Sequence, residues 1–459
     1  MRRSPPLSVP AALSLAVALA ASVALPARAE TAFPATLAGH VVLPAATFVA
    51  PPADAPADAA ISGKFTGPQP NREPASVMGD TGAMHGKRPT GLKLPFQGQP
   101  VQGFSGYAMT PAADGSVWMI TDNGFGSKLN SPDALLMVHN MVPHWDDGRM
   151  EITKTIFLSD PDKKVPFRIA YEATDSRYLT GADFDIEGIQ ALNGELWIGD
   201  EFGPYLIRAT EDGKVLAVYP TKMGDKDIKS PDTPGISAMS VVGKDWQAQR
   251  SGGYEGLALQ PGSNLLWAML EKPLMGEDNK PEGTFVRVMA FDPAKGAWTG
   301  QSFKFAYGEG AVSIGDFNFI DATRALVIER DNGEGDPSLK CDGDPKPDCF
   351  PLPALVKRVV LIDTATVDAD GFVRRIGTID LMDIADPDGK ARLPTVAKRD
   401  LTGKFTFPFF TIEDVVKVDD THIMVGNDNN LPYSSGRAPD KAADNEAILL
   451  SVPEFLAAK

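Results

Sequence analysis

Histidine is scarce in this chain. Five residues in 459, His40, His85, His139, His144 and His422, leave little for a zinc site or a Ser-His-Asp triad. His139 and His144 fall in an expected outer strand and read as surface groups. The histidine-acid motif Arg-His-Gly-x-Arg-x-Pro does not occur, so the mechanism built on it is excluded. Cysteine is scarcer still. Cys341 and Cys349 stand alone, with no histidine nearby to complete a metal site, and read as a disulfide pinching a loop in an oxidising compartment. Gly103-Phe104-Ser105-Gly106 lacks the spacing of a nucleophile elbow and leads into strand, not helix. Positive charge is also short: 44 Lys and Arg against 60 Asp and Glu. That balance argues against nucleic acid or an anionic membrane as partner. No segment after residue 29 is long and apolar enough to span a bilayer.

The first 29 residues read as a signal peptide. Arg2 and Arg3 precede the apolar run Ala11–Leu25, and Ala27-Arg28-Ala29 offers a small-x-small cleavage site. The mature chain is expected in the periplasm or medium, as a monomer without a membrane span. Losing Arg2, Arg3 and Arg28 leaves 41 basic residues against 60 acidic ones. Such a protein should repel a phosphate substrate unless bound divalent cations intervene.

What is present is a repeated strand pair. Asp185–Leu192 and Glu195–Asp200 read as strands around Asn193-Gly194, a strong hairpin signal. Asp185 and Glu187 begin this pair and Asp200 and Glu201 end it, so the hairpin gathers acids at one edge. The pattern recurs in Gly103–Gly124, Tyr254–Pro273, Ile314–Asn332 and Phe410–Asn430. Between copies lie second strand pairs around Asp147-Gly148, Asp212-Gly213, Ala294-Lys295-Gly296 and Asp370-Gly371. After the last copy only Glu446–Val452 remains, and Leu37–Ala50 can pair with it.

Four strands per unit without intervening helices predict an all-β β-propeller. Five four-stranded blades are expected, closed by N- and C-terminal strands, with a sixth hidden in 221–252 as the alternative. Long insertions are expected at 159–182, 221–252, 330–353 and 384–404. The domain reading is residues 1–29 as signal peptide, 30–100 as an irregular segment with the closing strand, and 101–459 as the propeller. Trp118, Trp197 and Trp267 recur on second strands and read as core between blades.

In that geometry Gly106, Glu187, Glu255, Asp316 and Glu413 start channel-lining strands at one mouth. Asp122, Glu201, Glu271, Glu329 with Asp331, and Asp428 return to it. Crowded like charges raise one another's pKa or need cations. The expected metal ligands are Glu187, Glu201, Glu255, Glu271, Asp316, Glu329, Asp331, Glu413 and Asp428. Oxygen donors of this kind suit Ca²⁺ best and Mg²⁺ second. Arg330, Arg437 and Lys272 are the expected contacts to a substrate phosphate.

Several stretches resemble the phytase-like family, the esterase-like activity of phytase domain. They are Gly103-Phe-Ser-Gly106, Trp118-x-x-Thr-Asp-Asn-Gly124, Asp185-x-Glu-Gly188, Asp200-Glu-Phe-Gly-Pro204, Tyr254-Glu-Gly-Leu257, Ile328-Glu-Arg-Asp331, Thr411-Ile-Glu413, and Asn427-Asp-Asn-Asn-Leu-Pro432 with Gly436-Arg437. The resemblance runs in order over about 101–452. It implies an exported domain whose recurrent acids carry phosphoesterase-type hydrolysis. The leading expectation is a metal-dependent hydrolase of a small phosphorylated ester, with Glu187, Glu201, Glu255 and Glu413 at its catalytic centre. Two alternatives stand beside it: a Ca²⁺-assisted lactonase or carboxyl esterase, and a non-enzymatic periplasmic binding or scaffold propeller. Lys or Arg converging on the mouth would favour the first, an apolar funnel the second, and neither the third.

Overall fold

The computed structural model describes residues 30–66, 90–110, 115–237 and 239–459. The expected signal peptide lies outside the described residues, as does His85. Apart from two-residue ladders, the strands group into units. β1 (Thr31–Phe33) and β2 (Thr36–Leu43) come first. Unit one is β3 (Phe104–Met109), β4 (Val117–Thr121), β5 (Met137–His144) and β6 (Arg149–Phe157). Unit two is β7 (Ile186–Leu192), β8 (Glu195–Asp200), β9 (Tyr205–Thr210) and β10 (Val215–Pro220). Unit three is β11 (Tyr254–Leu259), β12 (Leu266–Leu270), β13 (Phe285–Asp292) and β14 (Ala297–Ala306). Unit four is β15 (Ser313–Phe319), β16 (Arg324–Arg330), β17 (Lys357–Val367) and β18 (Val373–Asp380). β19 (Asp414–Lys417), β20 (His422–Gly426) and β21 (Asn445–Ser451) follow as unit five, then one short helix, α1 (Pro453–Ala457).

Within each unit successive strands pair antiparallel. The three strands of unit five are completed from the other end of the chain. β2 runs antiparallel to β21, with Thr36 opposite Ser451 and Leu43 opposite Asn445. β1 covers the outer edge of unit four, parallel to β18. Both N-terminal strands thus lie against edges that would otherwise be open to pairing.

The innermost strands form a closed circuit. β3 packs on β7, β7 on β11, β11 on β15, β15 on β19, and β19 back on β3. The hydrophobic core is divided between neighbouring units. Trp118, Ile120, Ile186 and Ile198 join units one and two, while Trp197, Leu206, Leu257 and Leu266 join two and three. Trp267, Val286, Phe317 and Val360 join units three and four, and Leu326, Val359, Val415 and Val425 join four and five. Val41, Phe104, Met119 and Met424 close the circuit between five and one. Adjacent residues of one strand serve different cores: Trp118 faces unit two and Met119 faces unit five. Burial on both faces explains why the second strands read as near-continuous apolar runs. The result is a nearly all-β, propeller-like ring.

The ring is tight at its axis. Gly106, Gly188, Gly256 and Gly315 lie at or beside bulges in the innermost strands of units one to four. A Cβ on Gly188 would stand 2.7 Å from Leu257 N, one on Gly256 2.7 Å from Phe317 N, and one on Gly315 1.9 Å from Ile412 O. Neighbouring strands therefore meet backbone to backbone, which no larger residue allows. Cys341 and Cys349 are disulfide-bonded within the insertion that divides unit four. No helix among the described residues is long and apolar enough to cross a membrane.

Gly256→Ala is expected to destabilise the fold by about 1–3 kcal/mol, because the added methyl has mainly backbone to push against. Urea unfolding measures it; an unchanged midpoint would mean that the strands can separate at this point.

Candidate functional site

The hairpin of unit two shows how the acids are aimed. Asn193 and Gly194 both have positive φ, 55° and 78°, as a tight two-residue turn requires. The resulting register sets Ile186 opposite Asp200 and Glu187 opposite Gly199. Asp200 is spent on backbone: its carboxylate accepts from Asp185 N at 2.9 Å and Gly203 N at 2.7 Å. Those bonds shape the turn that presents Glu201, whose N–H donates to Asp185 O.

Equivalent strand ends bring eight carboxyls to one mouth. Asp122, Asp185 and Glu187 offer oxygens that all lie within 4.8 Å of one another, and so do Glu201, Glu255 and Glu271. Glu413 approaches the second group through Arg330, whose Nη2 stands 3.0 Å from Glu271, 3.5 Å from Glu413 and 4.0 Å from Glu255. Asp428 and Asp122 flank Gly103, where a Cβ would lie 3.3 Å from Asp428 Oδ1 and 2.6 Å from Asp122 Cβ. Lys272 Nζ is 2.5 Å from Glu271 Oε2, and Ser313 Oγ donates to Glu271 Oε1 at 2.7 Å. All these acids are buried except Asp122, which is half-buried.

The electrostatics follow from crowding. Burial, then Glu255 and Glu413, pushes Glu187 well above the usual carboxylate range. Burial and the neighbouring acids do the same to Asp185, Glu201, Glu255 and Glu413. Burial and Asp122 raise Asp428 to about 8. Glu271 differs: burial works against its charge, but Lys272 and Arg330 together hold it below its ordinary value. Glu187 Oε2, Glu201 Oε1 and Glu255 Oε1 are buried and make no hydrogen bond among the described residues. Buried polar atoms are seldom left so, and oxygens in this state fit a hard cation.

Four residues expected at the mouth are engaged elsewhere. Asp316 follows the bulge glycine, so Ile314 takes the place that Glu187 and Glu255 hold in their units. Its carboxylate accepts from Val415 N at 2.8 Å, Phe317 N at 2.6 Å and Asn318 Nδ2 at 3.0 Å. Glu329 is turned the other way from Arg330, toward Arg375 at 2.7 Å and Arg358 at 3.5 Å. Asp331 pairs with Lys357 at 3.0 Å and accepts from three backbone N–H groups. Arg437 is clasped by Glu446 at 2.5 Å and lies over the rings of Phe405, Phe407 and Phe409. Asp122 and Asp185, absent from the expected ligand set, are central; each sits inside a stretch that the sequence singles out. His139 is also not a surface group. It is fully buried, and burial lowers its pKa to about 3.

A family model described as Phytase-like, esterase-like activity of phytase, matches residues 99–431. The chain belongs to the phytase-like family. No curated protein matches it. Among solved structures, a luciferin-regenerating enzyme is similar at 10% identity and TM-score 0.37, over 78% of this chain and 94% of that one. The glutaminyl cyclase of Myxococcus xanthus is similar at 11% identity and TM-score 0.33, over 76% and 91%. The PQQ-bound aldose sugar dehydrogenase of Streptomyces coelicolor is similar at 11% and 0.33, over 77% and 95%.

Arg330→Met is expected to cost about 3–5 kcal/mol in chelator-treated protein, because it strips the buried acids of their shared cation. Denaturant melts measure this; a loss below about 1 kcal/mol, the worth of an exposed pair, would mean that the guanidinium is dispensable there.

Proposed function

We propose that the protein is an exported, metal-dependent hydrolase of phosphoric esters, working at the mouth of a five-bladed propeller. The observation that carries this reading is that Arg330 and Lys272 converge on Glu255, Glu271 and Glu413 at a mouth of eight carboxyls, several with buried oxygens that make no hydrogen bond among the described residues. A lactonase calls for an apolar funnel, and a scaffold has no use for converging cations. The oxygen-only donor set favours Ca²⁺, with Mg²⁺ second. When bound, such an ion would offset substrate charge and make a coordinated water more acidic.

The chain's own groups divide the remaining work. Arg330 and Lys272 would hold the non-bridging oxygens of the phosphate. Glu413 and Asp428 belong to neither close-set triplet, and Glu413, 3.5 Å from Arg330 Nη2, is the one we assign to proton transfer. As the water oxygen bonds to phosphorus and the ester P–O bond breaks, Glu413 would take the water's proton and return it to the leaving oxygen. Residues 1–29 would be removed on export, leaving a periplasmic or secreted monomer in which 30–100 supplies the closing strand to the propeller domain 101–459.

The test is a screen of phosphomonoesters, phosphodiesters, phytate and lactones, with chelator and then with Ca²⁺ restored. Turnover of a phosphoric ester that chelator abolishes and Ca²⁺ restores is expected. Glu413→Gln should lower kcat about 10²–10⁴-fold while leaving KM nearly unchanged. Chelator-insensitive turnover, or hydrolysis of lactones alone, would overturn the reading.

A further inference from the structure

The two triplets of carboxyls are alike in spacing but not in surroundings. Glu201, Glu255 and Glu271 already have positive charge among them, with Arg330 Nη2 3.0 Å from Glu271 and Lys272 Nζ 2.5 Å from its other oxygen. Around Asp122, Asp185 and Glu187 no Lys or Arg nitrogen lies within 4.0 Å among the described residues. Asp185 and Glu187 are 3% and 6% exposed, and Glu187 Oε2 has no hydrogen bond among the described residues. The Asp122 and Asp185 carboxyls have oxygens within 4.8 Å of each other, and like charges set so close favour a cation between them.

The remaining bonds hold this triplet in place. Asn123 Nδ2 donates to Asp185 Oδ1 at 2.8 Å, and the Asn123 amide oxygen accepts from Phe125 N and Ser131 Oγ, each at 3.2 Å. One oxygen of Asp185 is thereby fixed and the other left for a ligand, as an outer partner does at metal sites. Ca²⁺ holds oxygens at about 2.3–2.6 Å, so donors on opposite sides of one ion stand about 4.6–5.2 Å apart. The oxygens of this triplet all lie within 4.8 Å of one another, so a single ion can reach all three.

We propose that a divalent cation, Ca²⁺ in the first instance, binds between Asp122, Asp185 and Glu187, on the side of the mouth built by units one and two. The other triplet already has Arg330 and Lys272 against Glu271 and so has less need of the ion. The proposal rests on the metal-dependent reading above and specifies where its ion sits.

The test is calorimetric titration of the chelator-stripped mature protein with CaCl₂. Wild-type protein should bind, and Asp185→Asn and Glu187→Gln should each weaken binding by about 10- to 100-fold or more. Glu271→Gln should bind as wild type does. No Ca²⁺ binding by wild-type protein, unchanged binding in both triplet variants, or an equal loss in Glu271→Gln would overturn the proposal. Circular dichroism checks each fold, and if Asp185→Asn does not fold, Glu187→Gln decides. The isotherms need no substrate, so a protein that hydrolyses no ester but loses Ca²⁺ with Glu187→Gln would refute the hydrolase and leave the site standing.

Discussion

Mutual repulsion among buried carboxyls is the constraint around which this molecule is arranged. Two like charges 4 Å apart repel by about 4 kcal/mol at an effective dielectric of 20. Eight such groups share one mouth with two cations. The ring can hold them only by keeping some protonated, by pairing them with Arg330 and Lys272, or by admitting metal. A protein under no functional demand would gain stability by replacing them, since buried charge is poor glue.

The closure that withstands this strain lies elsewhere. His40 on β2 accepts from Arg392 N through Nδ1, which leaves Nε2 to donate to Glu446 on β21 at 2.7 Å. Glu446 is in turn gripped by Arg437, itself bonded to Thr406 O and Thr395 Oγ1 and covered by three phenylalanine rings. Burial opposes the Glu446 charge, yet Arg437 and His40 hold its pKa down to about 2. This cluster joins the two ends of the chain through matched donors and acceptors, while the mouth keeps unmatched oxygens.

Much of this was legible in the sequence because the repeat wrote it several times. Turn pairs such as Asn193-Gly194 marked hairpins, and acids recurring at hairpin ends marked the mouth. What escaped was decided by single-residue register. The bulge at Gly315 moves Asp316 one place along, into contact with the backbone of β19. Alternation sends Glu329 outward and Arg330 inward, although the two are adjacent. Arg437 gave no local sign of the aromatic rings that cover it, because those rings come from a separate stretch of chain, Phe405 to Phe409. His139 looked exposed only because outer strands are commonly half-solvated; here it is enclosed.

The same glycines serve the fold and the site. Gly188 and Gly256 let the inner strands touch, and each directly follows a mouth glutamate, Glu187 and Glu255. A bulge at that point re-aims the preceding side chain as it tightens the ring. In unit four the glycine remains, but isoleucine precedes it, and the unit supplies Arg330 to the mouth instead of an acid. In unit five the glutamate remains, but Asp414 replaces the glycine and is itself fully buried. Unit one likewise keeps its glycine, Gly106, but has Ser105 before it, so ring closure tolerates loss of the glutamate twice and of the glycine once. The charge asymmetry of the mouth follows from which unit lost which.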